Sequence, residues 1–418
     1  MYNLIQVWAR IFLRLYFRRT IVFGKDQVPV QGPLIVASNH PSAFMEASVL
    51  GTVLRRPLHY LVRGDVFHPK FRWLFNWTNQ IPIYRQKDGI SNLRKNASSF
   101  ELTYKRLAEG KAVVIFPEAR SILEKKMRPI QRGTAHLAFG TLPYLENGAV
   151  LNVIPVGVNF MNPLIPGSDV VIKFGNPFET IQATREDRDA IEEFTTQLSS
   201  SMEPLIIHVH DGSNEPKYDV LASIYMVMIR NRRPEASVFD DLQKIAMMVN
   251  QSEPHREILH DINQHIHFLS KQKIKEGIYF PRLFLMGRVG LAILLLMKFI
   301  WILSGGWIWR GIRKLIFSKI KNDTFQGPTA IGAAMVLFPL LSLILVLICY
   351  LTGLAYWWIL VWWAVLMLGK LIPAPLSLTW KILTLSGSKF STAKMNVLNF
   401  IRELEKLILV NNHLISPK

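Results

Sequence analysis

The sequence predicts an α/β fold: a mostly parallel twisted sheet with flanking helices, followed by a helical segment and a C-terminal helical membrane region. Three observations predict it. Short apolar runs alternate with helix-patterned stretches between residues 21 and 180, as strands do when helices cross over between them. One of these runs ends at a histidine and others at a carboxylate and an arginine, and open α/β sheets bind ligands at the carboxyl ends of their strands. Long apolar segments appear only after residue 283, and the last two are long enough to span a bilayer.

Composition narrows the partners. The 418 residues are 50% apolar and 19% charged, with 49 basic against 30 acidic residues and a net charge of +19. A chain of this length holds two or three domains. The basic excess suits a polyanion or an anionic membrane surface. The basic residues gather beside apolar segments instead of interleaving with aromatics, so a phospholipid membrane is the expected partner and nucleic acid is not. Cys349 is the only cysteine and sits in an apolar stretch. That excludes disulfide scaffolds and cysteine metal sites, and argues against a thioester intermediate on the enzyme.

In chain order, residues 1–20 read as an amphipathic helix for the membrane interface. Leu4, Trp8, Ile11, Phe12 and Leu15 form one face, and Arg10, Arg14 and Arg18 another. The segment lacks the long apolar run and cleavage site of a secretion signal. Strands are expected at 34–38, 59–62, 81–85, 112–117, 151–159 and 169–175, and helices at 43–54, 68–77, 91–109 and 131–146. The aromatic stretch at 69–77 suits an acyl-chain groove, lipid contact or a core helix equally. Residues 184–209 open with a capping pattern at Thr184 and read as a solvated helix closing the domain. Residues 213–282 read as a polar helical linker or insert. Its histidines, His255, His260, His265 and His267, do not share one helical face, so they read as a solvated surface and no metal site is expected.

From 283 to 380 three apolar segments appear, at about 287–309, 329–351 and 354–372. Arg310, Arg313, Lys314, Lys319 and Lys321 separate the first two and place that loop in the cytoplasm, as the basic tail at 381–418 does for the other end. The last two segments then form a hairpin turning near Thr352-Gly353. The first, flanked by basic residues on both sides and broken at Gly305-Gly306, is re-entrant or interfacial, with a three-span arrangement as the alternative. This leaves 21–212 as the α/β domain.

The chemistry is concentrated in that domain. The run Pro33 to Ala37 is a buried strand that Asn39, His40 and Pro41 terminate, and Ser42 or Asn39 can cap a helix starting near Ala43. His40 followed by Glu46 is a general base with a carboxylate to orient it. Ile81-Pro82-Ile83-Tyr84-Arg85 is a strand ending in arginine. Val113-Val114-Ile115-Phe116-Pro117-Glu118 is one ending in a carboxylate, and Val153-Ile154-Pro155-Val156-Gly157-Val158 contains a proline. These four blocks in this order resemble those of the glycerolipid acyltransferase superfamily, which acylates glycerol-3-phosphate and 1-acylglycerol-3-phosphate. The resemblance covers roughly residues 30 to 160.

The resemblance implies transfer of an acyl group directly to a hydroxyl, without an acyl-enzyme. His40 and Glu46 are the catalytic pair, Arg85 is the phosphate ligand, and Glu118 approaches the acceptor. Two departures stand out. The family's commonest pattern puts aspartate where this chain has Met45, so its acid is one residue later and is glutamate. A subgroup with C-terminal membrane spans, including fungal-type glycerol-3-phosphate acyltransferases, has the longer gap with aspartate. Glutamate's extra methylene can restore its reach; an impaired pair is the alternative. After Glu118 the chain also runs straight through Ala119 to Arg120-Ser121, tighter than the family's glycine-containing turn, which weakens Arg120 as a ligand. Arg132 and Gly133 open the next helix, where free amides can hold phosphate.

The expected activity is thus acyl transfer from acyl-CoA or acyl-carrier protein to glycerol-3-phosphate or 1-acylglycerol-3-phosphate, in phospholipid biosynthesis, with no cofactor. The alternatives are another lysolipid acceptor, or a non-catalytic lipid-binding protein of the same fold. The catalytic domain is expected on the cytoplasmic face, in a bacterial inner membrane ahead of an endoplasmic reticulum.

Overall fold

A computed structural model of the chain describes residues 1–64, 67, 70, 72–84, 95–146, 148–251, 255–301, 311, 314–315, 318–320, 323–353, 355–357, 359–361, 363 and 376–410. The described strands are β1 (Arg19–Phe23), β2 (Leu34–Ser38), β3 (Leu58–Arg63), β4 (Gln80–Ile83), β5 (Ala112–Ile115), β6 (Asn152–Phe160), β7 (Asp169–Phe174) and β8 (Phe178–Glu179). They form one sheet in the order β1-β7-β6-β2-β5-β3-β4, with β8 beside β6. Every pairing is parallel except those of β6 with β7 and β8. The mostly parallel sheet expected from the sequence is present.

β2 lies at the centre because every residue of Leu34–Ser38 is apolar or small, and all are buried. Strands covered on both faces read as unbroken apolar runs. One face packs on α1 (Tyr2–Tyr16) and α2 (Met45–Val53) through Leu34, Val36, Val114 and Ile154. The other packs through Ile35, Ala37, Val113 and Val153 on α4 (Lys95–Ala108), α5 (Gly133–Thr141) and α6 (Arg188–Met202), while α3 (Arg72–Trp77) precedes β4. The step from β5 to β6 crosses β2, so the carboxyl end of β2 is where the sheet changes winding direction. Pro155 fits within β6 because it falls between the stretches that pair with β8 and β7, where its carbonyl takes the Gly175 N–H at 2.9 Å.

Three local expectations change. The helix expected over 1–20 ends at Tyr16, and Arg19 already belongs to a strand that extends the sheet beside β7. Arg10 donates to the Thr52 carbonyl at the end of α2, and Arg18 forks onto Asp169, so these arginines serve the protein itself. Leu4, Val7 and Ile11 remain exposed. The helix expected after Thr184 is capped instead by Asp187, whose carboxylate accepts the Ala190 N–H at 3.0 Å.

The segment read as a polar linker has a core of its own. It contains α7 (Glu215–Ile224), a π turn (Tyr225–Ile229), α8 (Val238–Asn250), α9 (Arg256–Lys271) and the start of α10 (Arg282–Leu285), and α11 (Arg288–Trp301) follows it. These share one apolar cluster with Ile21 and Val171 at the edge of the sheet. Helix α12 (Asp323–Thr352) follows, and then α13 (Leu376–Leu383) and α14 (Gly387–Val410) return to that cluster. The tail, read as basic from its charges, packs through Ala393, Val397, Phe400, Leu404 and Ile408. These residues recur every three or four positions and so make one stripe. His265, expected on a solvated surface, is buried in the same core, where its Nδ1 lies 3.2 Å from Asn396 Nδ2.

Among the described residues one helix is long and apolar enough to cross a membrane, Thr324–Thr352. Its 29 residues would extend about 44 Å at 1.5 Å per residue. Its first turns are built into the core of the α/β domain. Ile331 and Ala334 join the cluster of Phe12, Tyr16 and Met45, and Trp8 donates to the Met335 carbonyl at 3.0 Å. Gly327 lies so close to the Pro163 carbonyl that a Cβ there would stand 2.4 Å from its oxygen. Trp363 donates to Ser342 Oγ at 2.9 Å, so the chain doubles back after Gly353. Most of the third apolar segment, the Gly305-Gly306 break and the first residues of the helix expected at 91–109 lie outside the described residues. The first apolar segment is represented by α11, whose start bonds the end of α13 (Arg288 Nη2 to Leu385 O, 3.0 Å) and whose Val289, Ile293, Leu296 and Phe299 are exposed.

Burial lowers the His265 imidazole to about 4 from its ordinary 6.5. Between these values the unfolded chain binds a proton that the folded chain does not. Stability is therefore complete above about pH 6.5 and falls as pH drops toward about 4, by at most about 1.4 kcal/mol per pH unit. Thermal unfolding of the solubilised protein should show this fall, and His265→Gln, which keeps an acceptor for Asn396, should flatten it.

Candidate active site

The site forms where β2 stops. Asn39, the first residue past the strand, holds its neighbour β6 by both ends of its amide. Its Nδ2 donates to Val158 O at 3.0 Å and its Oδ1 accepts the Val158 N–H at 2.7 Å. The side chain thus imitates one more residue of strand pairing and fixes the direction in which the chain leaves the sheet. His40 follows, with its side chain 19% exposed. Its ring stacks on Phe116 at 4.2 Å between centroids, the planes 13° apart. Phe116 is the first residue past β5, so two adjacent strand ends lock the imidazole plane.

The chain then turns back sharply. Ala43 takes a left-handed conformation, φ 48°, and its N–H donates to Ser121 Oγ at 2.5 Å. No side chain caps α2 in the way expected of Ser42 or Asn39. Instead Glu46, fully buried in its first turn, reaches back so that Oε1 accepts the Ser42 N–H. A carboxylate there is also favoured by the positive end of the helix. The other oxygen, Oε2, lies 3.7 Å from His40 Nδ1. That is ion-pair distance and too long for a hydrogen bond, and both atoms are buried without another hydrogen-bond partner. Catalytic hydrogen bonds are often long before substrate binds. The longer gap and the longer side chain therefore bring Glu46 to the imidazole, with Nδ1 toward the acid and Nε2 on the far side of the ring.

Glu118 does not face an open acceptor site. It is buried, and all its described bonds are internal. Oε2 accepts the His40 N–H at 3.3 Å and the Arg128 guanidinium, and Oε1 accepts the Arg128 N–H at 3.3 Å. The same guanidinium donates to the carbonyls of His40 (3.1 Å), Arg120 (2.7 Å) and Ile122 (3.1 Å). Arg120 itself is exposed and contributes that carbonyl and an N–H that donates to the Glu118 carbonyl at 2.8 Å. Arg132 and Gly133 are exposed at the start of α5, with no side-chain cap on its amides and no atom within 4 Å of a Cβ at Gly133. The Gln131 N–H bonds Pro117 O at 2.9 Å, which sets this helix start beside the Phe116–Glu118 block. Arg85 lies outside the described residues. Ile83, two residues before it, ends a strand parallel to β2, on the same edge of the sheet as Ser38.

Sequence reasoning brought His40, Glu46 and Glu118 into view. It missed Asn39 as a clamp, Phe116 as a stacking partner, Ser121 as an acceptor and Arg128 as a fork. Each of these acts through a main-chain or ring contact between strands distant in sequence, which spacing does not report. Among the described residues no group of three or more His, Cys, Asp or Glu is gathered for a metal ion.

Comparison with known proteins places this arrangement. Residues 19–159 match the family model described as Acyltransferase. Glycerol-3-phosphate O-acyltransferase 1 of Saccharomyces cerevisiae is 22% identical over 142 residues, which are 32% of this chain and 19% of the yeast protein. The match thus spans about a fifth of that relative's length. The crystal structure of the 1-acyl-sn-glycerophosphate acyltransferase of Thermotoga maritima aligns over 48% of this chain and 78% of its own, at 18% identity and a TM-score of 0.35. Residues 19–159 form an acyltransferase domain, of the O-acyltransferase class. That match covers about a third of the chain.

Replacing Asn39 by alanine would leave Val158 N–H and C=O without their partner in a buried position. A loss of about 1–3 kcal/mol is expected, read as a lower midpoint in denaturant unfolding.

Proposed function

We propose that this chain is a membrane-embedded acyltransferase that moves a fatty acyl group from acyl-CoA or acyl-carrier protein to glycerol-3-phosphate or 1-acylglycerol-3-phosphate. The observation that carries the reading is the His40–Glu46 pair at the carboxyl end of β2, 3.7 Å apart and backed by a buried carboxylate network. His40 Nε2 takes the proton of the acceptor hydroxyl as its oxygen attacks the thioester carbonyl. Glu46 holds Nδ1–H toward itself and stabilises the imidazolium that forms. Collapse of the tetrahedral adduct breaks the carbon–sulfur bond, and the departing thiolate takes the proton back from His40. The ester and a free thiol result, and the base is restored without a covalent enzyme intermediate. No metal or prosthetic group is needed.

The acceptor phosphate is assigned to Arg85, with Arg132 and the open amides at Gly133 as a second contact. Arginine forks onto phosphate with two hydrogen bonds, and helix starts favour anions. Arg120, directed outward, is assigned to the rim of the site. Glu118 is assigned to holding His40. Of the two acceptors glycerol-3-phosphate is favoured, on the longer spacing and the C-terminal spans. The bilayer contact is assigned to Thr324–Thr352 with its returning partner, to the exposed apolar side of α1, and to α11 lying at the interface. The α/β domain then faces the cytoplasm, in a bacterial inner membrane.

Acyl transfer should be measured in purified membranes with labelled glycerol-3-phosphate and 1-acylglycerol-3-phosphate, each with both donors. His40→Ala should abolish product, and Glu46→Gln should lower the rate about 10²- to 10⁴-fold, the range of a lost acid–base contribution. Product that survives His40→Ala rules His40 out as the base.

A further inference from the structure

The loop between β5 and α5 is anchored on two sides. Toward the active site, Ser121 accepts the Ala43 N–H, and Arg128 ties Glu118 to the His40 carbonyl. On the opposite side the anchor is Lys125. Its ammonium pairs with Asp219 Oδ1 at 2.9 Å, its N–H donates to Glu215 Oε1 at 3.0 Å, and its carbonyl accepts the Val209 N–H at 2.6 Å. Glu215 and Asp219 stand one helical turn apart on α7, the first helix of the segment that follows the sheet domain. The Lys125 and Asp219 side chains are 16% and 12% exposed. A pair so shielded is held more firmly than a surface pair, and removing one partner is correspondingly costly.

Met127 and Ile130 pack the later part of the loop on the core of the sheet domain. Between the loop and the end of the sheet lies a cavity of about 40 Å³, lined by Asn39, Pro41, Leu123, Val158 and Tyr218 among others. Such a space has room for a water or two. Around Lys125 the loop is set off the sheet by this cavity and held by polar anchors, one set on the His40 turn and the other on α7.

We propose that Lys125 and Arg128 are positioning residues of a single strap through which the helical segment fixes the turn carrying His40. The strap transmits position and touches no reacting atom, and the proposal rests on the reading of His40 as the base. Releasing Lys125 frees the middle of the strap and loosens Ser121 and Arg128. The N–H groups of His40 and Ala43 then lose their fixed acceptors, and the imidazole departs from Glu46.

The test uses the full chain in lipid nanodiscs. Amide hydrogen exchange is followed in peptides covering 39–46 and 152–160, beside steady-state kinetics with both substrates. In Lys125→Met and in Asp219→Asn, exchange over 39–46 should quicken about tenfold while the β6 peptide stays unchanged, a local opening. The kcat should fall about ten- to a hundredfold at unchanged KM, the range for a small misplacement of a catalytic group. Lys125→Arg, which restores the pair with Asp219, should return both readouts toward the parent. Unchanged exchange over 39–46 in Lys125→Met would overturn the proposal. So would an equal rise in both peptides, which would make Lys125 a general stabiliser. Exchange needs no turnover, so a parent without acyl transfer would sink the functional reading and leave the strap to be decided on exchange alone.

Discussion

One buried carboxylate holds the site together. Glu118 comes from β5, His40 from β2, and Arg128 from the loop that leads to α5. Glu118 accepts the His40 N–H with the oxygen that also meets Arg128, and the guanidinium then returns to the His40 carbonyl. Both polar groups of the histidine backbone are thereby fixed by a single ion pair. A pair so buried must have its remaining lone pairs and protons satisfied, or desolvation outweighs the attraction. Here the carbonyls of His40, Arg120 and Ile122 take up protons of the two terminal guanidinium nitrogens, while Arg128 Nε is buried with no hydrogen-bond partner among the described residues. Moving any one of these segments leaves a charge uncompensated, and that makes the geometry cooperative.

The fold and the His40–Glu46 pair were legible for different reasons. The central strands are apolar along their whole length, so β2, β5 and β6 announced themselves within a residue or two. β1 did not, because Arg19–Phe23 follows a strongly amphipathic helix and only its pairing with β7 makes it a strand. The helical segment was misjudged as polar. Its apolar residues are spread over short helices, and the stripe that completes its core, Ala393 to Ile408, lies more than a hundred residues later. Local composition cannot reveal a partner so distant.

At the site, His40 and Glu46 were legible because the turn joining them is local. The Arg128 fork was not, since its partners come from two strands and its own loop has no periodicity to read. Glu118 illustrates the limit of a motif. The Phe-Pro-Glu block marks the right place, yet the side chain turns inward to the His40 backbone, away from the position the motif suggested for an acceptor.

The long apolar helix has a consequence for how this protein is made. Its first turns lie in the same core as Met45, the neighbour of Glu46, and Gly327 meets the loop at Pro163 with no room for a side chain. The catalytic half leaves the ribosome well before Thr324–Thr352 does. At roughly 5–20 residues per second it waits on the order of ten seconds with Phe12, Met45 and Phe160 lacking part of their cover. Docking of that helix is then the step that closes the core around α2. A chain stopped short of Thr324 is left with an unfinished core behind Met45 and Glu46, so completion of the pair's surroundings is tied to the last third of synthesis.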